Sequence, residues 1–279
     1  MILNLTPGFN PVNGTEIAFK SFTFSGGEPH IKIDTDFDKS EGVTVTHRIN
    51  SFNDLGLLCL AVDALKHMDV TLENLVIPYF PAARQDRLMI PGEPLSVKVY
   101  AEIINSFGFK KVVVLDPHSE VTPAVLDRCH AVPNHAFVQE VIRLTGTDVT
   151  LISPDGGALK KIYKVSEFLG GVEVVECSKS RDVKTGKLTG FKVYADDLQG
   201  KNCLIVDDIC DGGGTFLGLA EELKKKHAGN LYLAVTHGIF NKGFDELKEA
   251  FQHIYTTNSF REITHENVTQ IAWDVTTEL

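Results

Sequence analysis

The chain has 279 residues, long for one core and comfortable for two at roughly 100–200 residues per domain. With 43% hydrophobic residues and no apolar run near the ~18–20 that a membrane helix needs, it reads as an ordinary globular protein with no membrane span. A net charge of -10 argues against nonspecific nucleic-acid binding, and residues 1–10 lack the basic start and apolar centre of a secretory signal, so the expected address is the cytoplasm.

Residues 1–40 alternate apolar and polar positions around Gly26 and Gly27, which predicts antiparallel strands joined by a turn. A buried strand follows at residues 75–80 (LVIPYF), then a helix over 94–107 with Leu95, Val99, Ile103 and Ile104 at helical spacing. Further short strands are predicted at 112–115 (VVVL), 149–152 (VTLI), 172–175, 203–206 (CLIV) and 231–235 (LYLAV). Their hydrophobicity is continuous rather than alternating, as expected of parallel strands covered on both faces. A helix over 216–226 carries Leu217, Ala220 and Leu223 and ends in Lys224, Lys225 and Lys226, which suit a helix C-terminus. The tail from Ile263 to Leu279 reads as strand-rich. Strand–helix alternation implies an α/β protein with mainly parallel sheets flanked by helices. An apolar strand ending in aspartate occurs once in each half, at Asp116 and Asp207, which predicts two similar domains, 1–145 and 146–279. Cys59, Cys129, Cys177, Cys203 and Cys210 are odd in number, scattered and without a CxxC pair, which predicts reduced thiols and no zinc site.

The most informative stretch is LIVDDICDGGGT at residues 204–215. An apolar strand is expected to end at Val206, after which three acids and three glycines lead into a helix. Glycines let backbone N–H groups converge on an anion, and the helix N-terminus adds unpaired donors. Asp207 and Asp208 beside such a cradle make sense where the ligand also carries vicinal hydroxyls, or a metal that offsets the charge, and a sugar phosphate fits such a site. The Gly-Lys-Ser/Thr ending of a Walker loop is missing. The structural alternative is a glycine-rich turn whose aspartate caps the next helix.

This loop resembles the phosphoribosyl-diphosphate motif of type I phosphoribosyltransferases and ribose-phosphate diphosphokinases. The resemblance implies that Asp207 and Asp208 meet the ribose hydroxyls, while Asp211, Gly212, Gly213, Gly214 and Thr215 hold the 5-phosphate; Gly212 stands where the family usually has Thr. VIPYFPAARQDR at 76–87 and EPLSVK at 93–98 resemble the ATP segment of the diphosphokinases, implying nucleotide contacts from Arg84, Gln85 and Asp86. On charge alone, Arg84, Asp86 and Arg87 equally fit a solvated salt-bridge turn. VVVLDPH at 112–118 resembles the strand whose His118 binds magnesium through the nucleotide, although a strand-end histidine also serves as a hydrogen-bonded structural group. LISPDGGA at 151–158 resembles the stretch that supplies the metal carboxylate, Asp155, and its glycines permit a positive φ. ECSKSRDVKTGKLTG at 176–190 resembles the catalytic loop, implying catalytic roles for Lys179 and Arg181, with Ser180 in place of a middle arginine. FTFSGGE at 22–28 resembles the segment that reaches the adenine of ATP in a neighbouring subunit, implying roles for Phe24, Gly26, Gly27 and Glu28 and a homo-oligomer. THGIF at 236–240 matches another family strand end and reads as structural.

The resemblance implies two phosphoribosyltransferase-like domains, an ATP side and a ribose 5-phosphate side. The implied reaction transfers the diphosphoryl group of ATP to the C1 hydroxyl of ribose 5-phosphate with Mg²⁺ as cofactor. A phosphoribosyltransferase that consumes the product would not need the Arg84 segment. A non-catalytic regulatory homologue would not need Lys179, Arg181, His118 and Asp155 together.

Overall fold

The computed structural model describes residues 1–181 and 188–279, with side chains described as far as Lys179 and again from Gly190. It divides into two compact units, Met1–Pro133 with Ala272–Leu279, and Asn134–Ile271.

The first unit is built on a five-stranded, all-parallel sheet in the order β1 (Ile2–Asn4), β4 (Val43–Thr46), β5 (Leu72–Val76), β6 (Lys111–Leu115), β7 (Cys129–Val132). An antiparallel hairpin, β2 (Phe19–Thr23) and β3 (Pro29–Ile33), turns through Gly27 at φ 99°, as the alternation and the glycine pair predict. Helices α1 (Phe52–His67), α2 (Ser96–Phe107) and α3 (Val121–Val125) connect the strands. Helix α1 buries Leu55, Leu58, Ala61, Val62 and Leu65 along one face, and its start is written in Ser51 and Asp54: Ser51 Oγ accepts from Asp54 N, and Asp54 Oδ2 accepts from Ser51 Oγ and Asn50 N. Along β6, Val112 and Val114 enter one core with α1 and α2, while Val113 and Leu115 enter another with Phe9, Trp273 and Val275. Two buried faces explain why this strand reads as an unbroken apolar run. Strand β5 begins and ends earlier than the predicted 75–80, although its line continues as Ile77 N donates to Val113 O and Pro78 O accepts from Leu115 N. Pro78 has no N–H to extend the ladder.

The second unit carries a seven-stranded sheet in the order β10 (Leu188–Val193), β9 (Val174–Arg181), β8 (Thr150–Ser153), β11 (Cys203–Cys210), β12 (Leu231–Gly238), β13 (His253–Thr257), β14 (Val268–Ile271). Every pair is parallel except β9 with β10. The core again splits by parity. Cys203, Ile205, Leu231 and Leu233 face α6 (Gly214–Lys225), whereas Leu204, Val206, Tyr232 and Ala234 face α4 (His135–Thr145) and α5 (Leu159–Phe168). The short α7 (Asp245–Ala250) adds Leu247 to the α6 side.

The division at Pro133 lies upstream of the expected 145/146 boundary. Phe137, Val138 and Val141 bury α4 in the second unit, and Gly146 at φ 65° is the end of that helix rather than a linker. The expected strand-rich tail reduces to β14; Ala272–Leu279 return to the first unit. Among the described residues no helix is long and apolar enough to cross a membrane.

Trp273 is the chain's one tryptophan and lies in the core that holds fully buried Phe9. Phe9→Ala should therefore destabilise the first unit by about 3–5 kcal/mol, as large-to-small changes in aromatic cores do. Urea unfolding followed by Trp273 fluorescence checks this.

Candidate active site

Strand order reverses between β8 and β11: from β8 the chain moves outward to β9 and β10, then crosses back to place β11 on the other side. Loops leaving the carboxyl ends of strands at such a reversal diverge and leave a crevice, the usual ligand position in open α/β sheets. Asp155 follows β8, and Asp207 and Asp208 lie in the last half of β11. The first unit's sheet has no such reversal along β4, β5, β6 and β7.

The sequence places the end of the β11 strand at Val206; it runs to Cys210 instead. Pairing with β12 continues through Ile209↔His237 and Cys210↔Gly238, so both acids are held in extended backbone. Asp208 is buried and Asp207 half-buried, and Asp208 N donates to Asp207 Oδ1 at 2.9 Å. Burial, followed by the neighbouring charges of Asp208 and Asp155, pushes the Asp207 carboxyl well above the usual carboxylate range. The two acids also line a narrow hollow with Asn134, Ala158 and Lys161.

Beyond Cys210 the chain passes Asp211 and Gly212 and enters α6 through Gly213, whose φ of 78° belongs to the left-handed region. A Cβ there would also stand 3.1 Å from Leu247. Gly213 makes no side-chain cap, so the first N–H groups of α6, those of Gly214 and Thr215, lack intrahelical partners and favour an anion. The backbone of 239–241 fixes the loop from the other side: Ile239 N and Phe240 N donate to Cys210 O at 2.9 and 3.1 Å, and Asn241 N donates to Asp211 O at 3.0 Å. The THGIF segment thus has the structural role expected of it.

Asp155 is tightly held. Its Oδ1 accepts from Gly157 N at 2.8 Å and Ala158 N at 3.0 Å, and its Oδ2 is ion-paired with Lys179 Nζ. Burial alone would raise this carboxyl, but Lys179 and the two N–H groups outweigh it and hold Asp155 below its ordinary value. Neither Gly156 nor Gly157 takes a positive φ. At Gly157 the missing Cβ serves close approach, since one would stand 3.1 Å from Asp155 Oδ1.

Lys179 projects from β9 and pairs across the ladder with Phe191 of β10. The ring of Phe191 lies on α6 at Gly218, where a Cβ would fall inside it. Arg181 pairs with Leu188 in backbone register, and its side chain lies outside the described residues. The arm that carries Lys179 is therefore seated on the helix that begins at the glycine loop. The contact of Gly218 with Phe191 is one that sequence reasoning missed, because an isolated helical glycine gives no signal of what covers it.

In the first unit, Arg84 and Gln85 are exposed in the turn after Phe80. Asp86 is enclosed instead. Burial pushes its carboxyl up, but the Ser119 hydroxyl and the Arg87 guanidinium at 3.0 Å outweigh this, aided by His118, and hold it below its ordinary value. Asp86 thus ties the Arg84 segment to the loop after β6, where Asp116 has a φ of 38°. Ser119 was not marked by any sequence motif. At the hairpin tip Phe24 packs against Phe22 and His30 with ring centroids 4.8 and 5.6 Å away. Phe24 N donates to Glu28 O at 2.8 Å across the turn, and a Cβ on Gly26 would collide with the Glu28 carboxylate.

Comparison with known proteins agrees with this division. The profile described as the N-terminal domain of ribose phosphate pyrophosphokinase matches residues 13–108, and the phosphoribosyl transferase domain profile matches residues 133–273. The chain is 30% identical over 261 residues to the ribose-phosphate pyrophosphokinase of Mycoplasma genitalium, covering 88% of this chain and 76% of that one. It is 27% identical over 251 residues to the Corynebacterium glutamicum ribose-phosphate pyrophosphokinase, covering 86% and 76%. The crystal structure of phosphoribosylpyrophosphate synthetase from Mycobacterium smegmatis shares the fold, with a TM-score of 0.80, 24% identity and coverage of 95% and 88%.

Because the Asp207 carboxyl is raised in the folded state, the native chain holds more protons than the unfolded one between the ordinary and the raised value. Stability should fall as pH rises through that window. Asp207→Asn should therefore stabilise the second unit at neutral pH, with the gain vanishing below about 3.9, where the unfolded carboxyl is protonated as well. Urea midpoints of both proteins across a pH series check this.

Proposed function

This chain belongs to the ribose-phosphate pyrophosphokinase family, and we propose that it transfers the diphosphoryl group of ATP to the C1 hydroxyl of ribose 5-phosphate, giving 5-phosphoribosyl 1-diphosphate and AMP. One observation carries the reading: the carboxyl edge at the β8/β11 reversal combines the sugar-phosphate loop with Asp155 and Lys179. A transferase that spent the product would use the same loop, but would not need the N-terminal domain at residues 13–108.

Asp207 and Asp208 accept from the ribose hydroxyls, while the N–H groups of Gly214 and Thr215 and the turn through Asp211, Gly212 and Gly213 hold the 5-phosphate. Arg84 and Gln85 contact the nucleotide, and Asp86 positions them through Arg87 and Ser119. Diphosphoryl transfer is chiefly a problem of orientation and charge, since the sugar hydroxyl is itself the nucleophile. Lys179 and Arg181 neutralise charge developing on the bridging oxygen as it leaves. Seating of the β9–β10 arm on α6 keeps Lys179 in register with the sugar.

Magnesium fits the chemistry of the donors. Asp155, Asp207 and Asp208 offer hard oxygens, and Mg²⁺ commonly binds through one or two carboxylates, with water and phosphate oxygens completing its shell. Among the described residues no group of three or more His, Cys, Asp or Glu is placed as a complete cage. Asp155 is the carboxylate proposed to hold the ion, and His118 is assigned to the magnesium–nucleotide complex from the first unit. When bound, the ion offsets the charge of the triphosphate. The hairpin tip, with Phe22 and Phe24 each 52% exposed, is proposed to complete a neighbouring copy's nucleotide site in a homo-oligomer through Phe24, Gly26, Gly27 and Glu28.

The test is incubation with ATP, Mg²⁺ and ribose 5-phosphate, followed by ³¹P NMR. AMP and the sugar diphosphate should appear together, and AMP formed without ribose 5-phosphate would overturn the proposal. Lys179→Ala should lower kcat by about 10²–10³-fold, the scale of losing one donor to developing charge. Both KM values should change less than the turnover does.

A further inference from the structure

The glycine loop has three carboxylates on or beside it, at Asp207, Asp208 and Asp211, and no cation within residues 207–215. A dianionic phosphate seated there would meet backbone dipoles but no full positive charge from the loop itself. The turn that follows β12 brings one. A Cβ built on Gly212 would stand 3.3 Å from the Asn241 side-chain oxygen, 3.4 Å from Lys242 Cε and 3.5 Å from Lys242 Cδ. The aliphatic stem of Lys242 therefore lies in van der Waals contact with the point where a side chain at position 212 would begin, and crowds anything longer. Its ammonium nitrogen is one bond beyond Cε, within about 5 Å of that point.

This placement is fixed by the fold. The backbone of 239–241 is hydrogen-bonded to Cys210 O and Asp211 O, so the turn moves with the loop. Phe240 sits at φ 45°, a conformation that a non-glycine residue keeps only where its surroundings enforce it. Those surroundings are its own burial, the Phe244 ring at 4.8 Å and Arg261, which donates to Phe240 O at 3.3 Å. Among the described residues Lys242 makes no ion pair of its own.

We propose that Lys242 is a phosphate-binding residue, which lies over Gly212 and pairs its ammonium with the 5-phosphate of ribose 5-phosphate. The inference rests on reading residues 207–215 as the ribose 5-phosphate cradle. It gives the glycine at position 212 a purpose: a hydroxyl-bearing side chain is exchanged for a cation that enters from the neighbouring turn. Recognition of the phosphate becomes more ionic, and selection against the unphosphorylated sugar correspondingly sharper.

The experiment compares Lys242→Ala, Lys242→Arg and the double variant Gly212→Thr/Lys242→Ala with the parent protein, by steady-state kinetics and by calorimetric titration with ribose 5-phosphate. Lys242→Ala should weaken ribose 5-phosphate binding and raise its KM roughly tenfold, between the scale of an exposed ion pair and that of a charge-assisted hydrogen bond. The KM for ATP and kcat should stay within twofold, and Lys242→Arg should retain most of the affinity. Adding Gly212→Thr to Lys242→Ala should recover part of the loss, because the vacated space now admits the hydroxyl. Affinity for ribose 5-phosphate that depends on added salt in the parent and much less in Lys242→Ala would support the ion pair. A KM and Kd for ribose 5-phosphate unchanged within twofold in Lys242→Ala would overturn the inference. If the parent binds ribose 5-phosphate, loses it in Lys242→Ala and yet forms no AMP, the proposed reaction fails while Lys242 stands. If the parent does not bind ribose 5-phosphate, both fall.

Discussion

Crowding of carboxylates at the reversal between β8 and β11 is the constraint around which the second unit is arranged. Pairing with β12 holds β11 in extended backbone past its apolar half, so the backbone that carries Asp207 and Asp208 is fixed. Asp155 arrives from the adjoining strand and adds a third negative charge to the same edge. Such a cluster opposes folding, and the structure answers it with fixed partners rather than with solvent. Lys179 and two backbone N–H groups hold Asp155, and the unpaired donors at the start of α6 lie just beyond Asp208. The repulsion that remains is characteristic of a surface built to receive cations and hydroxyl donors, in which stability is traded for affinity.

Helix α6 links the parts that must act together. Its first turn borders the glycine loop, and one turn later the absence of a side chain at Gly218 admits the Phe191 ring from the Lys179 arm. One rigid rod therefore sets both the glycine loop, proposed to seat the sugar phosphate, and the arm of Lys179, proposed to be catalytic. The first unit uses a different device, an enclosed carboxylate. Asp86 joins Arg87 to Ser119, so the exposed Arg84 and Gln85 are carried on a braced turn.

Much of this was legible in the residues. The unbroken apolar runs at Val112 to Leu115 and Cys203 to Val206 announced strands buried on both faces, and the alternating cores confirm why. The acids and glycines after Val206 announced a loop that leads into a helix, which is where Gly213 and α6 stand. What stayed hidden depended on partners distant in sequence. The extension of β11 to Cys210 comes from pairing with β12, which overrides the low strand propensity of two aspartates. Asp86 looked like one charge in an exposed cluster, and only the approach of Ser119 makes it an internal tie. The Arg143 to Asp148 stretch looked like the junction between domains because glycine and threonine punctuate it, whereas it holds the end of a helix whose other turns are buried. Lys242 carried no signal at all, since nothing in the chain marks which residue will lie over a glycine.

The return of Ala272–Leu279 to the first unit has a consequence for how the protein is made. Trp273 and Val275 fill a core whose other members, Phe9, Val76, Val113, Leu115 and Val132, all lie before residue 134. Lys111 donates to the carbonyls of Glu278 and Leu279, which binds a central strand to the same tail. During synthesis from the amino end, the N-terminal body emerges first yet must wait with that face uncovered, while residues 134–271 can close their own core in the meantime. Completion thus runs against the order of translation, and the body that is begun first is sealed last.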